Sequence, residues 1–157
     1  MLGGGLCTTL HDYMRFLDMI YHNGVFEEKQ ILKPETIHEM QANQVGNAEV
    51  HPGEYVERAL KKYHTGIYGL GEWRELIDEA TGEAYQISSP GWAGAYPWIN
   101  KQGRVYGFFI AHVQGSSQKE DGFSSFFGSP VISQTVSNII SLKSCLLYTS
   151  PSPRDRG

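Results

Sequence analysis

The first part of the chain carries apolar residues at helical spacing. From Leu10 to Tyr21 they recur every three or four positions, which predicts an amphipathic helix with one buried face. Thr9 and Asp12 resemble a capping box with Asp in place of Glu, so we expect the helix to begin beside Thr9. Asn23-Gly24 is typical of a helix end.

A second, shorter helix is expected at Pro34. Proline fits the first helical position, and Glu35 lies in the first turn, where the helix dipole favours a negative charge. Ile37 and Met40 would form the buried side of this helix. Residues 41–65 are polar and show no sustained period, which indicates a long excursion, and connections of this length are often functional.

After Gly66 the pattern changes to aromatic-rich segments bounded by glycines and polar turns, which is typical of strands. The predicted strands span residues 67–76, 84–88, 94–100 and 104–113. Ser129 is expected to cap a last helix that has Pro130 at its first position. Helices, then strands, then a helix predict an α+β fold with an antiparallel sheet.

The stretch that organises the chain is residues 88–100, where a small-residue box that includes Gly91 and Gly94 joins two strands. Glycines there leave no side chain to keep out a neighbouring backbone or a bound molecule. The strand can therefore present bare N–H groups to something small and negatively charged. On local pattern alone, a glycine-rich hairpin with a close backbone contact is the alternative.

Four segments of the chain stand in an informative order. They are Gly3-Gly4-Gly5-Leu6-Cys7-Thr8-Thr9, Ile31-Leu32-Lys33-Pro34-Glu35-Thr36-Ile37, Tyr68-Gly69-Leu70-Gly71 and Ser89-Pro90-Gly91. In this order and rough spacing, residues 3–143 resemble the C-terminal half of the serine β-lactamase-like family of class C β-lactamases, penicillin-binding proteins and related esterases. The resemblance implies a partial β-lactamase/transpeptidase-like fold, with N-terminal helices and a C-terminal helix packed on the sheet.

The resemblance also implies a site built from three boxes. A Ser-x-x-Lys box provides the nucleophile, a Tyr-x-Asn-like box handles protons, and a strand box written Lys-Thr-Gly or His-x-Gly supplies a backbone donor for the oxyanion. On this chain that donor would be the N–H of Trp92. Gly91 would allow close approach, and Ser89 stands where Lys or His is found and would contact the substrate. Serine carries no charge, which favours an esterase-like hydrolase over β-lactam specificity.

Three short matches to these boxes are expected to be coincidental. Ser116-Ser117-Gln118-Lys119 lies in a polar loop rather than at the start of a buried helix. Tyr21-His22-Asn23 falls on the last turn of a helix. His64-Thr65-Gly66 precedes Tyr68-Gly69-Leu70-Gly71, whereas the family's strand box follows that segment. We therefore expect the nucleophile, its lysine and the tyrosine to lie upstream of this chain.

Composition limits the partners and cofactors. The formal net charge of −4 and the lack of a basic cluster argue against nucleic-acid binding. The six histidines show no paired ligand spacing, so no metal site is expected. The resemblance to a serine hydrolase likewise implies neither a cofactor nor a metal. The apolar run 105–113 is about half of what a membrane span needs, so no transmembrane segment is expected. Met1-Leu2-Gly3-Gly4-Gly5 has neither the basic start nor the apolar region of a signal peptide, but the true N-terminus is expected to be missing. Localisation therefore stays open, although members of the family that the chain resembles are often exported.

The C-terminal end differs from the rest of the chain. Residues 145–155 shift abruptly to Ser, Pro and Arg and resemble the translation of an adapter used to build sequencing libraries, with a natural polar tail as the alternative. We expect residues 1–144 to be the C-terminal portion of a hydrolase domain and 145–157 to be a non-native tail. Cys7 is then the one native cysteine, so no internal disulfide is expected.

The sequence therefore predicts part of a bacterial serine hydrolase that forms an acyl-enzyme with a small-molecule ester or amide and is inactive by itself. A non-catalytic ligand-binding or sensor module of the same fold is the alternative, and the uncharged Ser89 is its best support. A third alternative is an autonomous small α+β domain.

Overall fold

The computed structural model describes residues 7–48, 67–91, 94–111 and 125–148. Its first element is helix α1 (Leu10–Tyr21), and Thr9 caps this helix by accepting a hydrogen bond from the Asp12 N–H at 3.1 Å. The predicted capping pair is therefore confirmed. The helix ends where Asn23 and Gly24 adopt positive φ angles of 53° and 88°, and the Gly24 N–H donates back to a carbonyl of the last turn.

The short strands β1 (Val25–Phe26) and β2 (Lys29–Gln30) pair as an antiparallel hairpin, and helix α2 (Pro34–Gln41) follows them. Proline lies in the first turn of α2 as predicted, since its missing N–H would have no partner inside the helix there. Ile37 is 1% exposed and Met40 is half-buried, so the predicted buried side of α2 is confirmed.

One five-stranded antiparallel sheet follows, in which each strand pairs with the next strand along the chain. The strands are β3 (Ile67–Tyr68), β4 (Trp73–Ile77), β5 (Ala84–Ser88), β6 (Ala95–Asn100) and β7 (Val105–Ile110). Antiparallel neighbours need only brief connections, which the polar turns between these segments provide. The predicted α+β fold is confirmed, and β5 to β7 lie close to their predicted positions.

The single strand predicted over residues 67–76 is wrong. Gly71 has a φ of 81°, and the Gly69 N–H donates to the Glu72 carbonyl at 2.9 Å, so the chain turns back between β3 and β4. A Cβ at Gly69 would also overlap the carbonyl oxygen of Met40. That oxygen accepts a hydrogen bond from the N–H of Leu70. Gly69 and Gly71 therefore allow a hairpin in a segment that was predicted as one straight strand.

Helix α3 (Ser125–Tyr148) begins earlier than predicted. The expected start at Ser129 and Pro130 is wrong, because Pro130 lies inside the helix and Ser129 is fully buried. Pro130 is the sixth residue of the helix, where it removes one intrahelical hydrogen bond. The helix reaches into the segment 145–157, whose adapter origin stays a prediction. Among the described residues, no helix combines the length and hydropathy that crossing a bilayer requires.

The two faces of the sheet carry different layers. Helices α1 and α2 cover one face with an apolar core made of Leu17, Met19, Ile20, Ile37, Ala84, Ile87 and Ile99. Helix α3 covers the other face, where it buries Ser129, Ser133 and Ser137 at a spacing of four residues. Residues at this spacing share one side of a helix, so these small side chains let the α3 backbone approach the sheet closely.

Candidate functional site

The predicted strand box follows β5 directly and enters the connection to β6. The Ser89 N–H donates to the Pro97 carbonyl at 3.2 Å, and the Gly91 N–H donates to the Ala95 carbonyl at 2.7 Å. The Gly94 N–H donates to the Gly91 carbonyl at 2.9 Å. Since Pro90 has no N–H, the described backbone donors of this box are all used within the hairpin.

The side chain of Ser89 links two of the segments that carry the sequence resemblance. Ser89 is exposed, and its hydroxyl donates to the Gly71 carbonyl at 3.0 Å. The turn of Tyr68-Gly69-Leu70-Gly71 therefore lies beside the box, although 18 positions separate the two residues in sequence. A carbonyl oxygen accepts a proton in a hydrogen bond but does not remove one, so this contact positions the hydroxyl without activating it.

Gly91 differs from the glycines that the fold itself requires. A Cβ at Gly91 would lie 3.6 Å from the Ala95 Cβ and 3.7 Å from the Ala95 carbonyl oxygen, which are ordinary contact distances. A Cβ at Gly107, by contrast, would overlap the indole of Trp98 on the paired strand. The described residues therefore leave room for a side chain at Gly91.

Several predicted positions lie outside the described residues. Trp92 is one of them, so its N–H as an oxyanion donor stays a prediction. The segments Ser116-Ser117-Gln118-Lys119 and His64-Thr65-Gly66 also lie outside. Tyr21-His22-Asn23 is described, and it forms the C-terminal end of α1 as predicted.

A buried carboxylate that the sequence interpretation missed lies under helix α3. Glu75 on β4 is 1% exposed and accepts hydrogen bonds from Ser88, Gln86 and Tyr96. The Gln86 amide donates at 2.7 Å, and the Tyr96 hydroxyl lies 3.0 and 3.1 Å from the two carboxylate oxygens. Burial, and next the nearby Glu75 carboxylate, raises the pKa of Tyr96 well above its ordinary value, which keeps the phenol a donor.

This polar layer continues across the sheet to α3. The Ser133 hydroxyl lies 3.1 Å from both the Gln86 amide and the Tyr96 hydroxyl, and the Asn100 amide donates to Gln86 at 2.8 Å. Ser88, which donates to Glu75, directly precedes the Ser89 box, so the layer fixes the end of β5. Gln86 and Ser88 alternate on one face of a predicted strand, and this was the sequence signal for a polar face.

A cleft of about 120 Å³ opens on the opposite face of the sheet, between α1, the 69–72 turn and strands β5 and β6. Ser89 and Glu72 are among the residues that line it. Burial raises the pKa of Glu72 to about 7, while the charges of Lys101 and Arg74 oppose that rise. Glu72 carries no functional signal in the sequence, because one acidic residue next to a Gly-Leu-Gly turn is typical of a solvated loop.

Metal binding receives no support from the described part of the chain. Within it, no three His, Cys, Asp or Glu side chains gather closely enough to hold an ion. The groups that hydrogen-bond Glu75 are the neutral donors Ser88, Gln86 and Tyr96. They are suited to holding backbone in place and to hydrogen bonding a neutral ligand.

Comparison with solved structures shows a strong likeness to a protein of known fold. A crystal structure of a putative beta-lactamase from Bacteroides dorei DSM 17855 is 74% identical to this chain, with a TM-score of 0.81. The match covers 90% of this chain and 42% of that chain. The chain therefore has a β-lactamase-like fold, and the likeness supports a β-lactamase-like family. No family model matches the chain, and no curated protein does.

Proposed function

We propose that this chain is part of a serine hydrolase that forms an acyl-enzyme with a small ester or amide. The observation that carries this proposal is the 74% identity, over 90% of the chain, to a putative beta-lactamase. The chain spans 42% of that protein, and no helix start in the described residues carries Ser-x-x-Lys. In this proposal the nucleophile and its base come from residues outside the chain.

The strand box would form one wall of the active site. The N–H groups of Ser89, Gly91 and Gly94 are already engaged in the hairpin, and Pro90 has none. Trp92 is the next donor along the box, and in this proposal its N–H stabilises the oxyanion. The room that the described residues leave around Gly91 supports this proposal, because a glycine lets a substrate approach the backbone closely.

Ser89 would contact the substrate rather than attack it. Its hydroxyl is exposed and donates to the Gly71 carbonyl at 3.0 Å, and this described contact does not activate it as a nucleophile. It is able to rotate and donate to a substrate carbonyl or carboxylate at the rim of the cleft. This role suits an esterase-like hydrolase, in which no fixed positive charge is required at the third box.

A chimeric protein tests the proposal. Residues 7–144 of this chain would replace the matching segment of the Bacteroides dorei protein. The parent Bacteroides dorei protein, the chimera and the 157-residue chain alone would each be treated with a fluorophosphonate that labels activated serines. We expect the parent and the chimera to be labelled and the 157-residue chain alone not to be. We expect Ser89→Ala in the chimera to lower kcat/KM for an ester by about tenfold, the loss of one hydrogen bond. Absence of labelling in parent and chimera would contradict the acyl-enzyme.

A ligand-binding module without catalysis is the second candidate. The observation that favours it is the uncharged Ser89, whose hydroxyl is held by a carbonyl rather than by a base. In that case the chimera would bind a small ester or amide but would neither be labelled nor release product. The labelling experiment therefore separates the two functions.

A further inference from the structure

The Ser89 box lies where the regular pairing of β5 with β6 ends. The last paired residues are Ser88 and Trp98. Beyond this pair, the described backbone hydrogen bonds that join the two sides of the hairpin are donated by the N–H groups of Ser89 and Gly91. A segment with few backbone hydrogen bonds opens more readily than the strands beside it, so other contacts are needed to keep it in one geometry.

One side chain on β4 contacts both sides of this hairpin. The Glu75 carboxylate accepts a hydrogen bond from the Ser88 hydroxyl, at the end of β5, and the Tyr96 hydroxyl on β6 lies 3.0 and 3.1 Å from its two oxygens. Ser88 directly precedes the Ser89 box, and Tyr96 follows the connection on the other side. Because one carboxylate holds both side chains, neither strand can shift without distorting one of these hydrogen bonds.

The backbone of β4 is irregular at this residue. Arg74 pairs with Ile87 and Leu76 pairs with Gln86, so Glu75 is the extra residue of a β-bulge in the ladder with β5. A bulge interrupts the alternation of a strand and changes the direction of a side chain, and bulges are frequent beside active sites. The bulge therefore places the Glu75 carboxylate by a feature of the backbone as well as by its donors.

Stability alone does not explain a carboxylate at this position. Burial of a carboxylate carries a desolvation cost, and apolar packing of similar volume is often equally stable. Glu75 is 1% exposed, so it does not contact a substrate. Any effect that Glu75 has on a bound molecule must therefore act through the hairpin that it holds.

We propose that Glu75 is a positioning residue for the active site. By holding Ser88 and Tyr96 together, it keeps the Ser89 box in the geometry that stabilisation of the oxyanion requires. This role rests on the proposed hydrolase function. The hold on the hairpin exists without turnover, however, and can be measured separately.

Amide hydrogen exchange in the complete 157-residue chain tests this hold. Glu75→Gln keeps the shape of the side chain but replaces one acceptor oxygen by an NH₂ group, which cannot accept a hydrogen bond from either side of the hairpin. We expect the Ser89 and Gly91 amides to exchange about tenfold faster in this variant, which corresponds to the loss of one hydrogen bond. The Gly24 amide, which donates to a carbonyl of α1, should exchange at an unchanged rate.

Two further variants make the exchange experiment specific. Ile37→Ala leaves a cavity in the apolar core, where Ile37 is 1% exposed, so it should destabilise the chain without a particular effect on the Ser89 and Gly91 amides. Ser88→Ala removes one donor and leaves Glu75 in place, so it disturbs the fold less than Glu75→Gln. It should still accelerate exchange of the Ser89 amide several-fold.

Turnover is measured in the chimera with the Bacteroides dorei protein. Glu75→Gln should lower kcat for an ester by about tenfold or more, because small displacements of groups that stabilise the transition state have large effects on the rate. KM should change by less than about twofold, since Glu75 makes no contact with the substrate. Ile37→Ala should leave kcat unchanged at a temperature where urea titrations show both variants to be folded. This contrast separates positioning from a general loss of stability.

Two results would overturn the proposal. They are exchange of the Ser89 and Gly91 amides that is unchanged in both Glu75→Gln and Ser88→Ala, or a kcat that falls no further in Glu75→Gln than in Ile37→Ala. Absence of fluorophosphonate labelling in the parent and in the unsubstituted chimera would instead contradict the hydrolase function. The exchange rates would still show whether Glu75 holds the hairpin, so the two failures are distinguishable.

Discussion

The two faces of the sheet are buried by different physical means. Under α1 and α2 the contacts are apolar, with Ile87 and Ile99 packed against Leu17 and Ile20. Under α3 the contacts are hydrogen bonds centred on Glu75. Apolar packing is non-directional and tolerates small shifts, whereas a hydrogen-bonded carboxylate fixes its donors to one geometry. The difference suggests that the apolar face supplies most of the stability, and the polar face sets the position of the strand that leads into the Ser89 box.

Replacement of Glu75 gives the largest expected effect. Glu75→Ala should lower the free energy of unfolding by about 3–5 kcal/mol, because it removes the buried acceptor of Ser88, Gln86 and Tyr96 and leaves only Ser133 beside the last two. Urea denaturation at pH 7 measures this loss of unfolding free energy, and Glu35→Ala on the surface is the control. A loss below about 1 kcal/mol would mean that the polar layer has little role in stability.

Gly107 tests how closely Trp98 packs on the polar face. Gly107→Ala should cost about 2 kcal/mol, because the new methyl group overlaps the indole. Thermal and urea unfolding would give this value in the original chain and in a Trp98→Leu background. The cost should largely disappear in that background, and a cost that is equal in both would exclude the indole as its source.

Two positions on β6 compare the faces directly. Tyr96 points to the polar layer and Ile99 to the apolar core, and both are almost fully buried. Tyr96→Phe removes one oxygen and should cost about 2 kcal/mol, while Ile99→Val removes one methylene and should cost about 1 kcal/mol. Matched urea titrations of the two variants decide the order, and the reverse order would break the comparison.

Glu72 is an ionisable residue on the apolar side of the sheet, so it should make the stability of the protein depend on pH. Its pKa is raised to about 7 from 4.5, so between these values the folded chain holds a proton that the unfolded chain releases. Its contribution to stability is therefore complete below about pH 4.5 and is lost as the pH rises to about 7. We expect a decline of about 1 kcal/mol, after allowance for its partial exposure. The free energy of unfolding should differ less between pH 5 and pH 8 in Glu72→Gln than in the original chain. An identical difference in the two proteins would contradict the assignment to Glu72.

Gly91 should show the smallest effect on stability. Gly91→Ala adds a methyl group at ordinary contact distances, so the free energy of unfolding should change by less than about 0.5 kcal/mol. In the chimera the same change should lower ester turnover, because the methyl group would approach the bound substrate. A large loss of stability, or turnover that is unchanged, would remove the argument that this glycine serves a ligand.

Local sequence signals predicted elements well where local chemistry determines them. Thr9 and Asp12 predicted the start of α1, and aromatic-rich segments bounded by glycines and polar turns predicted β5 and β6. The polar layer could not be predicted in full, because a buried Glu75 looks the same in sequence as an exposed strand residue until its donors from β5, β6 and α3 are brought together. Pro130 misled for a related reason, since tertiary packing of α3 overrides the usual position of proline.

The candidate site was predicted in part. The sequence indicated Ser89 and Gly91, and their hairpin setting follows from the flanking strands. It gave no indication that Glu72 would line the same cleft, because this depends on the 69–72 turn folding back against α1 and β5. In a straight strand over residues 67–76, the Glu72 carboxyl would lie away from the cleft. Glu72 was therefore missed because the turn between β3 and β4 was not predicted.

The order of the strands has a consequence for how this part of the chain acquires its structure. Each strand of the sheet pairs with its immediate successor, so no pairing has to wait for a remote segment to diffuse into place. Such local contacts carry a small loop-closure entropy and are typical of rapid folding. The meander would therefore form as a series of zipping hairpins, and the docking of α3 onto Gln86 and Tyr96 would be a late, long-range step.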